Sequence, residues 1–338
     1  LVRDSIAGTL SLCGAAALIA LAPAVAYAQI SIAQPMPATV TVRVGAQGTE
    51  RVPATIFGSF LEPIGNSING GIVAEILTNG SLESGLWNHT NLETMFREQP
   101  ELIDSTNETG VPLPWQALDR AAGNRFELHV GDAANSWQSL EILGTPNGQA
   151  GIRQRVYLPV QRELEYRVSL YAKHVSGSVG VRVLFRDPET GRTLAESRVD
   201  ADATEWTKYT ATLRLAPNAV RRLQPVDFGV AVEGTGRVDV DGLSVLPADA
   251  IGILDPDEVT MAKAMHVTEL RLGGNFSSYY HWKDGVGPMD KRRTMENIAW
   301  GIPEYNQFGT DEFLQLCDLI GAVPQFDLNM GSGTPEDA

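Results

Sequence analysis

Three stretches of this chain place a polar side chain directly after an apolar run and beside glycine. They are "GSFLEPIG" around Glu62, "RLGGNFSSYYHWKDGVGP" from Arg271 to Pro288, and "DLNMGSGT" around Asn329. Glycine lets a backbone come close to a ligand. Glu62 can hydrogen-bond two hydroxyls, Asn275 and Asn329 can each donate and accept, and Trp282 can stack its indole on a sugar face. Together such groups suit a pocket that reads a polyol. Each also has an ordinary structural use taken singly: a helix cap or surface charge for Glu, a turn for Gly-Gly-Asn, cover for a core edge for Trp. His281 has no visible metal-ligating partners and the five histidines nowhere show ligand spacing, so the expectation for metal is none. No glycine-rich phosphate loop follows a strand, which leaves nucleotide use without support.

The elements that would position these groups fall into two patterns. Residues 38–44, "ATVTVRV", alternate with period two, and 54–61, "ATIFGSFL", form a more continuously apolar strand with Glu62 at its C-terminal end. After residue 250 the sequence predicts helix in "PDEVTMAKAMH", strand in "VTELRL", helix in "TDEFLQLCDLIGA" with Thr310 as cap, and strand in "VPQFDLN". Strands apolar on both faces and alternating with helices imply a parallel sheet covered by helices. From about 84 to 247 the helical period disappears. Short alternating strands recur there, as in 166–172, 179–185, 209–215 and 228–232, divided by the turn clusters "SGS", "DPETG" and "EGTG". This pattern predicts a β-sandwich with its own core, inserted into one connection of an α/β domain. Trp87, Trp115, Trp137 and Trp206 are its candidates for stacking on a glycan, with core packing the commoner role of tryptophan in sandwiches.

The strands near 54–61, 267–272 and 323–329 are too few to close a (β/α)8 barrel, and in such barrels the reactive groups stand at the strands' C-terminal ends. "GTPEDA" carries a helix-start signal in Thr334, Pro335 and Glu336. The expectation is an incomplete (β/α)8 TIM barrel, first strands and helices only, interrupted by an all-β jelly-roll sandwich. Its parts are residues 29–83 and 248–338 for the barrel and 84–247 for the insert.

The chain has 338 residues, 43% of them hydrophobic, enough for two cores, and its formal charge of -15 argues against a nucleic-acid partner. Residues 1–28 combine Arg3, the apolar "LSLCGAAALIALAPAVA" and the triplet Ala26-Tyr27-Ala28, the pattern of a removable export signal. A retained membrane anchor is the alternative, disfavoured by Pro23 and the cleavage triplet. The expected location is secreted or periplasmic, with no membrane attachment after signal removal. Cys317 is then the only cysteine left, at helical spacing in "EFLQLCDLIG", and buried packing is its expected role.

The stretches "GSFLEPIG...NGGIVAEILTNGSLE", "LRLGGNFSSYYHWKDGVGPMDKR" and "NQFGTDEFLQLCDLIGAVPQFDLNMGSGTPEDA" resemble the N-terminal part of the α-L-arabinofuranosidases of glycoside hydrolase family 51. The middle resembles a carbohydrate-binding module, through "NGSLE" and "GRVDVDGLSVLP". The resemblance implies a barrel followed by a β-sandwich, to which 38–44 is assignable, and retaining hydrolysis of terminal α-L-arabinofuranosyl residues. It implies that Glu62 and Asn275 bind the furanose and that Arg271 holds the nucleophile carboxylate. In this chain Leu272 leads straight to Gly273 where relatives commonly carry a proline, and Pro63 stands where His is common. A retaining glycosidase needs two carboxyl groups about 5–5.5 Å apart. In the family both follow later strands, so neither catalytic carboxyl is expected before Ala338, and the piece alone is expected to be inactive. No cofactor is implied, since carboxylates suffice for protonation and attack. The implied partner is an arabinose-containing plant cell-wall polysaccharide such as arabinan or arabinoxylan; oligomeric state stays open. The alternatives are a β-xylosidase or endoglucanase of related barrel architecture, or a non-catalytic secreted carbohydrate-binding protein.

Overall fold

The computed structural model describes residues 51–119, 125–146 and 150–337. The expected export signal at 1–28 and strand at 38–44 lie outside these residues. In chain order the elements are β1 (Ser59–Leu61), α1 (His89–Glu98), α2 (Glu101–Thr109), β2 (Gln116–Ala117), β3 (Phe126–Val130), β4 (Gln138–Gly144), β5 (Ala150–Tyr157), β6 (Glu165–Arg186), β7 (Thr193–Val199), β8 (Thr207–Arg214) and β9 (Pro225–Pro247), followed by α3 (Pro256–Ala264), β10 (Glu269–Leu272), β11 (Met295–Asn297), β12 (Ile302–Glu304), α4 (Thr310–Ile320) and β13 (Val323–Phe326). Among the described residues no helix is long and apolar enough to cross a membrane.

Strands β1, β10 and β13 form a three-stranded parallel sheet with β10 in the centre. Helix α3 starts where Asp255 accepts hydrogen bonds from the amides of Asp257 and Glu258, with Pro256 in the first turn. Helix α4 buries Phe313, Leu316, Cys317 and Ile320, one stripe at helical spacing, and ends at Gly321 in the left-handed conformation. That stripe packs with Leu270 and Leu272 of β10 in one core, and Phe313 meets Phe326 edge-on at 4.9 Å between ring centres. Burial pushes the Cys317 thiol up to about 11, which keeps it protonated and inert. Two expectations need correction. The run 54–61 is not one strand, because Ala54–Phe57 form a 3-10 turn between Pro53 and Gly58. Gly309, not Thr310, caps α4; its amide donates to the Glu312 carboxylate at 2.9 Å, tying the helix start to its own first turn.

The remaining strands, apart from the β11–β12 hairpin, form an antiparallel assembly built on one ribbon. Strands β6 and β9, of 22 and 23 residues, pair along their length. The first part of β9 carries β5 on its free side, and the second half of β6 carries β7. The second part of β9 carries β4 and then β3, and the first half of β6 carries β8. The two halves of the ribbon share one core: Tyr166 packs on Phe185 at 5.2 Å, Phe185 on Phe228 at 6.0 Å, and Trp115 on Phe228 at 6.2 Å, all edge to face.

The clusters "SGS" and "EGTG" were expected to separate strands. They lie instead opposite one another inside the ribbon, with Gly177 paired to Gly236 and Val179 to Gly234. Gly177 and Gly234 have φ of 78° and 88°, and a Cβ on either would collide with the facing strand's backbone. Glycine is what lets both strands change direction there without parting. "DPETG" does form the turn between β6 and β7. A second correction concerns 84–115, where α1 and α2 stand in a region expected to be free of helix. Asn88 caps α1 by accepting from the Asn91 amide, and its apolar residues Leu92, Met95 and Phe96 span a single turn and are only half-buried, too short a stripe for a periodicity reading to single out.

The chain leaves and rejoins the parallel region at one place. The Ala74 amide donates to Ile253 O at 2.7 Å, Ile76 to Val245 O at 3.0 Å and Asp255 to Ile72 O at 2.8 Å. The outgoing and returning segments thus run side by side, the condition under which a long excursion leaves a scaffold undisturbed.

Candidate functional site at the strand ends

The parallel register sets Phe60, Arg271 and Gln325 abreast, then Leu61, Leu272 and Phe326. Glu62, Gly273 and Asp327 therefore emerge together at the C-terminal edge. Two glycines make room for two acids: a Cβ on Gly273 would overlap the Asp327 carboxylate, and one on Gly274 would overlap that of Glu62. Gly274 also sits at φ 137°, a conformation side chains disfavour.

Glu62 is buried. Its Oε1 accepts from the Phe276 amide at 3.3 Å and from the Trp300 indole Nε1 at 3.2 Å. Asn275, between the glycine that clears Glu62 and the amide that holds it, is exposed and opens a 3-10 turn, Asn275–Ser278. The structure brings Glu62 and the Asn275 turn together at one rim. Arg271 lies beside them with Nε 3.6 Å from Asp327 Oδ2 and its guanidinium 5.3 Å from the Phe60 ring centre. The carboxylate that Arg271 faces within the described residues is thus Asp327.

Asn329 and Trp282 are near the rim but engaged. Asn329 Oδ1 accepts from the amides of Gly331, Ser332 and Gly333, and its Nδ2 donates to Tyr280 O at 3.1 Å, so the side chain folds its own loop. The Trp282 indole donates to Asp337 O at 2.7 Å. Asp337 also accepts from Lys283 and from the Thr334 amide and hydroxyl, and these contacts, Lys283 first, lower its carboxyl to about 2. The Thr334 start signal closes on Asp337 as a turn. His281 Nε2 lies 3.4 Å from Ser332 Oγ. Trp282, Asn329 and Asp327 line a small cavity of about 90 Å³.

A larger cavity, about 240 Å³, opens beside the rim between Phe276, Tyr280, Asn297, Ile298, Glu304 and Asn306. Glu304 accepts from Asn297 Nδ2 at 3.1 Å and from the Asn306 amide at 3.2 Å. Burial nevertheless raises its carboxyl and the Tyr280 phenol above their ordinary values. Under these loops Arg292 is buried, donating to both Glu312 oxygens at 2.8 and 2.9 Å and to carbonyls of Gly287 and Asn306. The sequence reading missed Trp300, Glu304 and Arg292. "NIAWG" leaves the short strand β11, whose "MEN" has no apolar run to announce it, and only its tryptophan marked it.

Of the four tryptophans of the middle region, Trp115 is core, its indole donating to Asn79 O at 2.8 Å. Trp87 is half-buried. Trp137 is exposed with Arg293 stacked on it at 4.8 Å. Trp206 donates to Asp132 and carries Lys173 over its ring at 5.0 Å.

Residues 261–337 match the model of the α-L-arabinofuranosidase 1 domain, and residues 74–225 that of a carbohydrate-binding domain. An α-L-arabinofuranosidase C of Emericella nidulans is 48% identical over 83 residues, 24% of this chain and 16% of that protein. An intracellular exo-α-L-arabinofuranosidase of Bacteroides ovatus is 46% identical over 83 residues, with the same coverages of 24% and 16%. The chain thus spans about a sixth of the curated relatives it matches. A solved arabinose-bound α-L-arabinofuranosidase of glycoside hydrolase family 51 superposes with a TM-score of 0.64 over 85% of this chain and 47% of that one, at 19% identity, a likeness of fold. What the chain is similar to is therefore the family of α-L-arabinofuranosidases, through an arabinofuranosidase domain at 261–337 and a carbohydrate-binding domain at 74–225.

Proposed function

We propose that this chain is part of a secreted glycoside hydrolase that releases terminal α-L-arabinofuranosyl residues from arabinan or arabinoxylan with retention of configuration. The parallel sheet is the first part of its (β/α)8 barrel, residues 29–83 and 248–338, and 84–247 is an inserted jelly-roll module that binds the polymer. The observation that carries this reading is the convergence of Glu62, the Asn275 turn, Arg271 and Trp300 at one strand-end rim, where a barrel enzyme places its substrate. A buried carboxylate with one oxygen fixed by an indole and an amide keeps acceptor capacity for sugar hydroxyls. Glu62 is a substrate contact in this mechanism. The acid/base and nucleophile carboxyls are not among these residues, and Arg271, released from Asp327, orients the nucleophile. Trp282 and Asn329 shape the rim's outer wall.

The match of 74–225 to a carbohydrate-binding domain favours a second reading, in which glycan binding alone is the activity of this piece. Calorimetry with arabinotriose and xylotriose separates the possibilities. The proposal expects arabinotriose to bind, at least tenfold more weakly in Glu62→Gln, and xylotriose not to compete. Equal binding of both sugars, unaffected by Glu62→Gln, overturns the strand-end site and leaves the module as the binder. Turnover of an aryl α-L-arabinofuranoside by these residues alone would contradict the placement of the catalytic carboxyls.

A further inference from the structure

The outer surface of the antiparallel assembly carries a cluster that the sugar site does not use. Glu127 and His129 are two apart on β3, so they project from one face. Glu127 is directly opposite Glu141 on β4, and Glu141 is directly opposite Asp239 on β9. One donor atom each of Glu127, His129 and Glu141 lies within 4.8 Å of the others. Behind them Asp239 is only 1% exposed; its Oδ2 is paired with Lys173, and its Oδ1 has no hydrogen bond of good geometry. His129 Nδ1 faces it at 3.4 Å and Lys173 Nζ at 3.0 Å.

Charge and geometry both leave this cluster short of a cation. Its carboxylates are Glu127, Glu141, Asp239 and Asp132; its fixed cations are Lys173, shared between Asp132 and Asp239, and Arg237, 3.5 Å from Glu141. Two negative charges remain among these side chains when the imidazole is neutral. A metal-ligating histidine ordinarily donates its other ring N–H to a carboxylate that fixes its orientation. Asp239, 3.4 Å from His129 Nδ1, stands where that carboxylate belongs, and with Nδ1 so occupied Nε2 would be the nitrogen offered to a metal.

We propose that Glu127, His129 and Glu141 bind one divalent cation of the zinc class, with Asp239 orienting His129. A mixed imidazole and carboxylate donor set suits zinc over calcium or magnesium, which prefer oxygen alone. Tetrahedral zinc with ligands at about 2.0–2.2 Å wants donors roughly 3.4 Å apart. Glu127 is exposed and His129 partly exposed, so both can close the difference by rotamer adjustment, and the open side admits water as fourth ligand.

The test is calorimetry of the full chain with zinc chloride, and separately with calcium and magnesium chloride, at pH 7. The expected result is one saturable zinc site, weakened roughly tenfold or more by His129→Gln and by Glu127→Gln, and unchanged by His89→Gln. Glu127→Gln alters an exposed edge-strand side chain and leaves the core intact, so it serves even if His129→Gln misfolds. Absence of saturable zinc binding, zinc binding unchanged in Glu127→Gln, or calcium binding as tight as zinc overturns the site.

Discussion

Phe185 and Phe228 lie wholly inside the antiparallel assembly, whereas Phe57, 72% exposed, and Phe60, 57% exposed, stand open beside the parallel sheet. The difference is one of closure. The β6–β9 ribbon bends at facing glycines and covers its own apolar face, so its large side chains gather in one buried core. A parallel sheet needs cover on both faces, and here α3 and α4 supply one: Leu270 and Leu272 are buried, while β13 is exposed along its length. Under the proposed reading the missing cover is the rest of the barrel. The proposed sugar site belongs to the open region and the proposed cation site to the closed one.

If the antiparallel core is self-sufficient, breaking it should cost most. Phe228→Ala removes the ring that joins Trp115 to Phe185 and should destabilise that assembly by about 3–5 kcal/mol in urea denaturation followed by tryptophan fluorescence. In the parallel region the largest loss should come from a charge. Glu312→Ala strands the buried Arg292 guanidinium and uncaps α4, at about 3 kcal/mol, read as a lower urea midpoint for the far-ultraviolet signal.

The next contrast is with pH. Burial pushes Asp241 up to about 8 from 3.8, although the amides of Ala134, Asn135 and Gly242 pull it down, and pushes Glu75 up to about 7 from 4.5. A carboxyl whose folded value is raised holds its proton more tightly when folded. Its stabilising contribution is complete below the unfolded value and is lost as pH rises through the folded one. The urea midpoint should therefore fall between pH 5 and pH 8, and Asp241→Asn, which keeps one oxygen for the amides of Ala134 and Asn135 that share Oδ2, should flatten the slope. Smallest is the effect of Phe57→Ser, within about 0.5 kcal/mol on stability. By sedimentation it should reduce self-association, because the residue belongs to the uncovered apolar surface.

Much of this was legible in the sequence where a local pattern coincides with a packed element. The α4 stripe of Phe313, Leu316, Cys317 and Ile320 fixes its own face, and an apolar strand followed by a polar residue marks β1 with Glu62 and β10 with the Gly-Gly-Asn turn. What two facing strands do together was not legible. "SGS" and "EGTG" read singly as turns, and only their register turns them into one bend. The site shows the same limit. Gly273 and Gly274 are visible in sequence, but the carboxylates they clear, Asp327 and Glu62, come from other strands. Trp300 reaches Glu62 across 238 residues, and no local signal encodes such a contact. Asn329 has the residue type of a sugar contact, yet its own loop takes up its hydrogen-bonding capacity.

The central claim is that the strand-end rim, and not the antiparallel face, receives the arabinofuranosyl unit. Hydrogen–deuterium exchange of the chain with and without α-1,5-arabinobiose tests it directly. The account predicts slower exchange at 60–64, 273–277 and 298–301, with the Phe276 amide that is bonded to Glu62 among the protected sites. Protection confined to 126–141 and 206–210, with the rim unchanged, would contradict it.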